Sequence, residues 1–182
     1  MMIGWSRFNI YLLPALALGL VCGCQNPERQ RKKQLSTLRV HLEAPRDGTK
    51  RSEPVPISRG DKVMVNVEKS PFLTEASVSE AKIVDTVGGF ALSIEFDRQG
   101  SWLLEQYSTA NRGKHFAIFS RFVPETGQPL NEGRWLAAPL IPRGITNGVL
   151  FFTPDATREE AGQIVLGLNN IAQKLKADAK WW

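Results

Sequence analysis

The sequence predicts an α+β fold: a mainly antiparallel sheet with two helices packed on one face, in a strand-rich ββαβ-type repeat. Short segments of alternating apolar and polar residues recur between turn residues, a pattern typical of half-buried strands. Two longer segments instead carry apolar residues at helical spacing. Strands, helix, strands and helix, in that order, favour helices laid on one side of an antiparallel sheet.

The strands of the first half begin near residue 37. LRVHLEA and KVMVNVE alternate, and the three valines of the second segment fall at every other position. VGGFALSIEF is the clearest case, because Gly88 and Gly89 supply a tight turn and the large apolar residues that follow share one face. The sequence therefore predicts a hairpin here.

The first helix is predicted just after Gly100. The residues at helical spacing are Trp102, Leu103, Tyr107 and Ala110. Gly113 follows as a stop, because glycine readily adopts the left-handed conformation that ends many helices.

The second half repeats this order. HFAIFSRFV is rich in apolar residues, which is typical of an inner strand, and ETGQPLNEG is predicted to be a loop. RWLAAPLI is predicted to be extended, and NGVLFF follows a turn at Asn147–Gly148. Thr157 and Glu160 then form a capping box. The apolar stripe of the last helix comprises Ala161, Ile164, Val165, Leu168, Ile171, Ala172 and Leu175.

The amino terminus has the layout of a secretory signal. Arg7 precedes an apolar run from Phe8 to Val21, which ends in small residues. The run is too short for a comfortable membrane span. Val21-Cys22-Gly23-Cys24 resembles the bacterial lipobox, which implies that residues 1–23 are a lipoprotein signal peptide and that Cys24 is acylated, as with palmitate.

Other roles for the two cysteines are weaker. A disulfide between Cys22 and Cys24 would close a very small, strained ring, and a metal site would lack ligands because His41 and His115 have no matching spacing. An uncleaved anchor with a cytosolic domain stays open, since the basic residues 31–33 follow the apolar run.

Residues 24–36 read as a flexible basic tether with a charge of +3. This tether is either solvated or in contact with anionic lipid headgroups. Residues 37–180 form the single predicted domain, and from residue 37 onward 18 basic residues face 17 acidic ones. A nearly neutral domain argues against nucleic acid as a partner.

Motifs of common catalytic sites do not occur in the sequence. His115 could act as a base beside Asp97 or Glu95, but a lone histidine at a strand start is far more often structural. Glu159 and Glu160 complement the dipole of the last helix. We therefore expect no enzymatic activity, no cofactor and no metal site.

The stretches GGFALSIEFDRQGSWLLEQYSTANRGKHFAIF and RWLAAPLIPRGITNGVLFFTPDATREEAGQIVLGL resemble the head subdomain of the large periplasmic domain of SecD. The resemblance spans roughly residues 72–178 and includes Thr109 before Asn-x-Gly-Lys, Ala138-Pro139, and Phe-Thr followed by Glu-Glu-Ala. It implies a stand-alone, lipid-anchored copy of that head, with exported polypeptides or other envelope proteins as partners. Proton-driven export does not carry over, because the family's membrane spans are missing.

Four residues form a candidate peptide-binding ridge: Trp135, Leu136, Pro139 and Leu140. An extended peptide could add a strand at a free sheet edge beside them. Alternatively, Trp135 packs under the last helix, with a frayed Trp181-Trp182 tail. Two functions follow as expectations: an envelope lipoprotein that binds protein or peptide, with a link to protein export, or an accessory subunit docking on one fixed partner. Gln25 after Cys24 resembles a sorting signal, so the expected location is the periplasmic face of the outer membrane.

Overall fold

The computed structural model describes residues 31, 33–46, 48, 50–58, 62–122 and 133–179. The chain divides into two units, residues 1–32 and 33–182, and all described residues except Arg31 belong to the second. The predicted signal peptide, most of the tether, the loop at 123–132 and the Trp181-Trp182 tail therefore lie outside the described residues.

From Thr37 onward, the described residues form nine strands, two α-helices and a 3-10 turn at Glu75–Ser77. The strands are β1 (Thr37–Leu42), β2 (Ser52–Ile57), β3 (Val63–Glu68), β4 (Leu73–Thr74), β5 (Val78–Thr86), β6 (Gly89–Phe96), β7 (Phe116–Arg121), β8 (Arg134–Ala137) and β9 (Val149–Phe152). The helices are α1 (Arg98–Ala110) and α2 (Arg158–Ala179). The predicted α+β class is confirmed.

The strands are divided among three antiparallel sheets. The largest has the order β4-β1-β7-β8, a second has the order β5-β6-β9, and β2 pairs only with β3. The apolar run at β7 is an inner strand, as predicted, between β1 and β8. Its neighbouring residues Ala117 and Ile118 point to opposite faces, and both are fully buried. The four-stranded sheet is therefore covered on both sides.

One face of this sheet contributes to the main core, which both helices and the β5-β6-β9 sheet complete. Its largest fully buried side chains include Leu38, Leu92, Leu104, Phe116, Leu150 and Leu168. The β2–β3 hairpin covers the opposite face through a smaller cluster containing Val55, Ile57, Val67 and Ala117. At one end of the hairpin this cover stops, and Val63 and Met64 are exposed there.

Helix α2 begins as the sequence predicts. The Thr157 Oγ1 atom accepts the N–H of Glu160 at 3.2 Å, and a carboxylate oxygen of Glu160 accepts the N–H of Thr157 at 2.9 Å. The same carboxylate receives two hydrogen bonds from Arg134 on β8, at 2.7 and 3.0 Å. The cap of α2 is thereby attached to the edge strand of the large sheet.

Helix α1 differs from its prediction in start and in orientation. It begins at Arg98 rather than after Gly100, because the Asp97 side chain accepts the N–H of Gly100 at 2.7 Å and caps the helix. Leu104 and Ser108 are its fully buried side chains, whereas Trp102 is 61% exposed. The buried face is thus displaced to one side of the predicted stripe, whose Leu103 and Tyr107 are only partly buried against the core. Ser108 is buried because its hydroxyl donates to Glu105 O and accepts the N–H of Ile145.

The folded unit begins before residue 37. Ser36 is 1% exposed and donates to the carbonyl of Gln163 on α2. Gln34 hydrogen-bonds to the Gln163 side chain, and Asn170 donates to the Gln34 carbonyl at 2.9 Å. The last residues of the predicted tether are thus held against α2.

Candidate functional site

A cleft of about 950 Å³ lies where the β2–β3 hairpin extends past the large sheet. One wall is the hairpin, and the other is formed by β8 and the segment that follows it. Its apolar lining includes Ile57, Val63, Met64, Val65, Leu136, Ala137, Ala138, Pro139, Phe152 and Pro154. Clefts of this size with mainly apolar walls are common binding sites.

Val63 and Met64 form the exposed rim of the cleft, being 60% and 46% exposed. Val67, on the same face of β3 as Val63, is fully buried. The predicted strand β3 is present, but its burial does not alternate: Val63 and Met64 are exposed at one end, and Asn66 and Val67 are buried at the other. The sequence pattern cannot show where the cover of this strand stops.

A histidine and a carboxylate meet at one end of the cleft. Nδ1 of His115 lies 2.7 Å from Oε2 of Glu43, and this oxygen also accepts the backbone N–H of His115 at 2.8 Å. Partial burial raises the pKa of Glu43, but both hydrogen bonds from His115 and the nearby positive charges outweigh it and hold the pKa below its usual value. Asp97 and Glu95, the partners considered for a catalytic role of His115, lie elsewhere: Asp97 caps α1 and Glu95 is on β6.

Trp135 lies between the large sheet and the hairpin. Its ring contacts those of His41 and Phe119 in edge arrangements, with centroid distances of 5.1 and 5.3 Å. It packs against the small cluster that contains Val55 and Val67. Trp135 is half-buried there, on the face opposite the core side chain of Leu136, and not under the last helix. Its role in the structure is that of a packing residue.

His41 is 7% exposed, and its Nδ1 lies 2.7 Å from the carbonyl oxygen of Glu68. A carbonyl only accepts hydrogen bonds, so Nδ1 carries the proton. Burial lowers the pKa of His41, while the Glu68 carbonyl opposes the shift; among the charges, Arg39 lowers it further and Glu53 raises it. His41 thus connects β1 to the end of the hairpin in its neutral form.

The four residues of the predicted ridge do not form one surface. Leu136 is 1% exposed and belongs to the main core, because side chains alternate along β8 and Trp135 takes the opposite face. Pro139 lines the cleft and accepts the N–H of Phe116 through its carbonyl. Leu140 is 55% exposed and lies in a second groove. Pro139 thus lines both the cleft and this groove and Leu140 only the groove, while Leu136 is a core residue at the wall of the cleft. Trp135 is half-buried on the other face of β8.

The second groove, of about 800 Å³, runs between the segment at 139–147 and strand β9. Phe151 is 52% exposed and, like Leu140, lines this groove. The N–H of Phe96 on β6 donates to the carbonyl of Gly148, just before β9. In an antiparallel pair, hydrogen-bonded and non-hydrogen-bonded residue pairs alternate, and Phe151 falls in a non-hydrogen-bonded pair with Ser93. The N–H and C=O of Phe151 therefore point away from β6. The side chain of Asn169 binds both backbone groups of Ala81, and so covers the outer edge of β5. The β9 side is the open edge of that sheet.

Within the described ranges, no three His, Cys, Asp or Glu side chains are grouped as ligands for a metal ion. No helix in that part of the chain is both long and apolar enough to cross a membrane. Cys24 lies outside the described residues, so lipid attachment there stays a prediction. Sequence reasoning missed Glu43, whose contact with His115 has no local signal because the two are 72 positions apart.

The chain matches known proteins along most of its length. The model of the family described as SecDF, P1 head subdomain, matches residues 51–172. The chain has no significant match among curated proteins.

Two solved structures share the fold. One, of SecDF described as a membrane component that enhances protein export, has a TM-score of 0.53 at 20% identity, over 93% of this chain and 71% of that chain. The other, of SecDF in a super-membrane-facing form, has a TM-score of 0.54 at 21% identity, over 81% of this chain and 21% of that chain. The chain thus corresponds to a minor part of the second protein.

Proposed function

Because this chain belongs to the SecDF P1 head subdomain family, we propose that it works in the bacterial cell envelope as a non-enzymatic protein that holds extended polypeptide in association with protein export. SecDF itself enhances protein export. The proposed contribution of this chain is binding alone, and no catalytic step is part of it.

The observation that carries the proposal is the open apolar cleft between the β2–β3 hairpin and β8. Its rim exposes Val63 and Met64, and its lining is mostly apolar, with proline at positions 45, 139 and 154. Such a lining favours apolar side chains without fixing one orientation or one sequence. This property suits the binding of many different unfolded segments.

The second groove supports the same function. The outward backbone groups of Phe151 are placed to bind an extended chain through strand addition, and Leu140 lies across the groove from them. Strand addition depends on main-chain hydrogen bonds, so it too tolerates different sequences. Pro139 lines both sites, and a single polypeptide could extend from one to the other.

Membrane attachment completes the proposal. Cys24 is the acylated residue, residues 1–23 are removed, and the chain is held at the periplasmic face of the outer membrane. Several acyl chains on one cysteine suffice for stable anchoring. Mass spectrometry of the native protein tests this part, and an intact start at Met1 or a free thiol at Cys24 would contradict it.

Site-specific photocrosslinking tests polypeptide binding. A benzophenone amino acid replaces Val63 on the cleft rim or, as a matched exposed control, Val87 at the β5–β6 turn. In native envelopes carrying an arrested precursor protein, we expect crosslinks to the precursor from position 63 and few from position 87. Equal crosslinking from both positions would contradict a binding cleft.

The same experiment distinguishes the accessory-subunit alternative. If the chain docks on one fixed partner, position 63 should give a single product of constant mass, with or without the precursor.

A second variant, Val63→Glu, places a charge on the apolar rim and should reduce precursor crosslinking from a probe at Met64. Its thermal stability should match that of Val87→Glu, because both side chains are solvent-exposed.

A further inference from the structure

The β2–β3 hairpin ends in two cations that face each other. Ser52 pairs with Glu68 in the register, and beyond this pair the N–H of Lys69 donates to the carbonyl of Arg51 at 2.9 Å. Both side chains are exposed. Like charges directly opposite one another in an antiparallel pair repel. Arg51 and Lys69 therefore form a place where an anion would relieve an existing repulsion.

The pair borders a depression of about 700 Å³. Lys50 adds a third cation, the hydroxyls of Ser52 and Ser70 add hydrogen-bond donors, and Glu68 is its one carboxylate. We define these six residues as the basic depression. Cations beside hydroxyl donors suit a phosphate group, whose oxygens accept hydrogen bonds in several directions.

The charge of the basic depression is not neutralised within the described part of the chain. None of the three cations is in an ion pair there, in contrast to Lys82, Arg134 and Arg158, which pair with Glu80, Glu160 and Asp85. From residue 37 onward the sequence is nearly neutral. The basic depression is therefore a local excess of positive charge and not a consequence of a basic domain.

We infer that the basic depression docks the domain on the phosphate groups of anionic phospholipids at a membrane surface. The argument is charge complementarity: three cations and two hydroxyls face a surface that presents many phosphates. The inference rests on the membrane attachment proposed above, because an anchored domain meets headgroups at high effective concentration. Docking there would orient the domain relative to the membrane.

Amine labelling followed by mass spectrometry tests the inference on the full-length protein. The protein is reconstituted into phosphatidylcholine vesicles, either pure or mixed with phosphatidylglycerol. We expect labelling of Lys50 and Lys69 to fall several-fold on the anionic vesicles and to recover in high salt, which screens such contacts. Lys174, exposed on α2, should label equally on both.

Charge reversal supplies the matched control. Arg51→Glu combined with Lys69→Glu should abolish the protection of Lys50, whereas Arg112→Glu combined with Arg143→Glu should leave it intact. Both pairs of positions are exposed, so both variants should fold. Equal labelling of Lys50 on neutral and anionic vesicles would overturn the inference, as would equal protection by inorganic phosphate or by polyglutamate without vesicles.

The outcome is separable from that of the proposed function. If the native protein does not remain on pure phosphatidylcholine vesicles, the proposed lipid anchor fails. Protection of Lys50 and Lys69 on anionic vesicles would then still support the basic depression. If the anchor holds but no protection appears, only the inference on headgroup docking is wrong.

Discussion

Oε2 of Glu43 accepts two hydrogen bonds from one residue, His115, through the imidazole Nδ1 at 2.7 Å and the backbone N–H at 2.8 Å. Glu43 follows β1 and His115 precedes β7, so the contact joins the ends of two paired strands at the margin of the cleft. Because both donors act on one carboxylate oxygen, the charged form of Glu43 is favoured.

Glu43→Gln should weaken the fold mainly above acidic pH. The pKa of Glu43 is depressed, so the stability that its charge contributes is present above the ordinary value of 4.5 and is lost as pH falls through the lower folded value. We expect a loss of about 0.5–1 kcal/mol at neutral pH, since both side chains are partly exposed and solvent screens the pair. Denaturant unfolding across this range measures it, with His115→Gln completing a double-mutant cycle. Equal losses at neutral and strongly acidic pH would rule out a charge effect.

His41 should make the domain less stable as the solution becomes mildly acidic. Its folded pKa is below the ordinary 6.5, so the unfolded chain takes up a proton first. The free energy of unfolding should therefore fall as pH drops below 6.5, until the folded state is also protonated.

The variant His41→Gln should remove this dependence, because glutamine keeps a donor for the Glu68 carbonyl but does not titrate. The chain has two histidines, and His115→Gln serves as the control that should retain the dependence. Thermal melts over this pH range provide the measurement. An unchanged slope in His41→Gln would show that another group is responsible.

Trp135→Ala should destabilise the protein, contrary to what a surface binding residue would show. The ring is half-buried against His41 and Phe119, and its removal should cost about 2 kcal/mol. Trp102→Ala is the matched control, because that ring is 61% exposed and should change stability little. Similar melting temperatures for Trp135→Ala and wild type would mean that the Trp135 contacts contribute little to the fold.

Two glycines of α2 should respond oppositely to alanine. A Cβ at Gly167 would lie 2.8 Å from the carbonyl carbon of Leu35 and 2.5 Å from the nitrogen of Ser36, whereas a Cβ at Gly162 would meet nothing within 4 Å. Gly162→Ala should stabilise the helix by about 0.5–1 kcal/mol. Gly167→Ala should destabilise the protein by about 1–3 kcal/mol, because it displaces the segment held on α2. Chemical denaturation measures the free energy of unfolding of both variants. If Gly167→Ala stabilised the protein, residues 35–36 would move away from α2 at little cost.

Several elements were predictable because their signals are local. The α2 capping box is four residues long, the turn at Gly88 needs one positive φ angle, observed at 86°, and the alternation of β6 spans eight residues. Each depends on interactions between near neighbours, which a short segment specifies. Strand β5, the first strand of the predicted hairpin, could not be given bounds because most of its residues are partly or fully exposed and it has little apolar alternation.

What the sequence by itself determined is therefore the α+β class, most of the strands and helices, and the family resemblance. The tertiary structure decided which faces are covered: Leu136 in the core, Trp135 under the hairpin, and Val63 exposed at the cleft. These outcomes depend on pairings such as β1 with β7, whose residues are about 80 positions apart. A sequence shows which side chains of a strand share a face, but not whether that face is covered. The element that packs on each face decides whether its apolar side chains are buried in the core or exposed at a cleft.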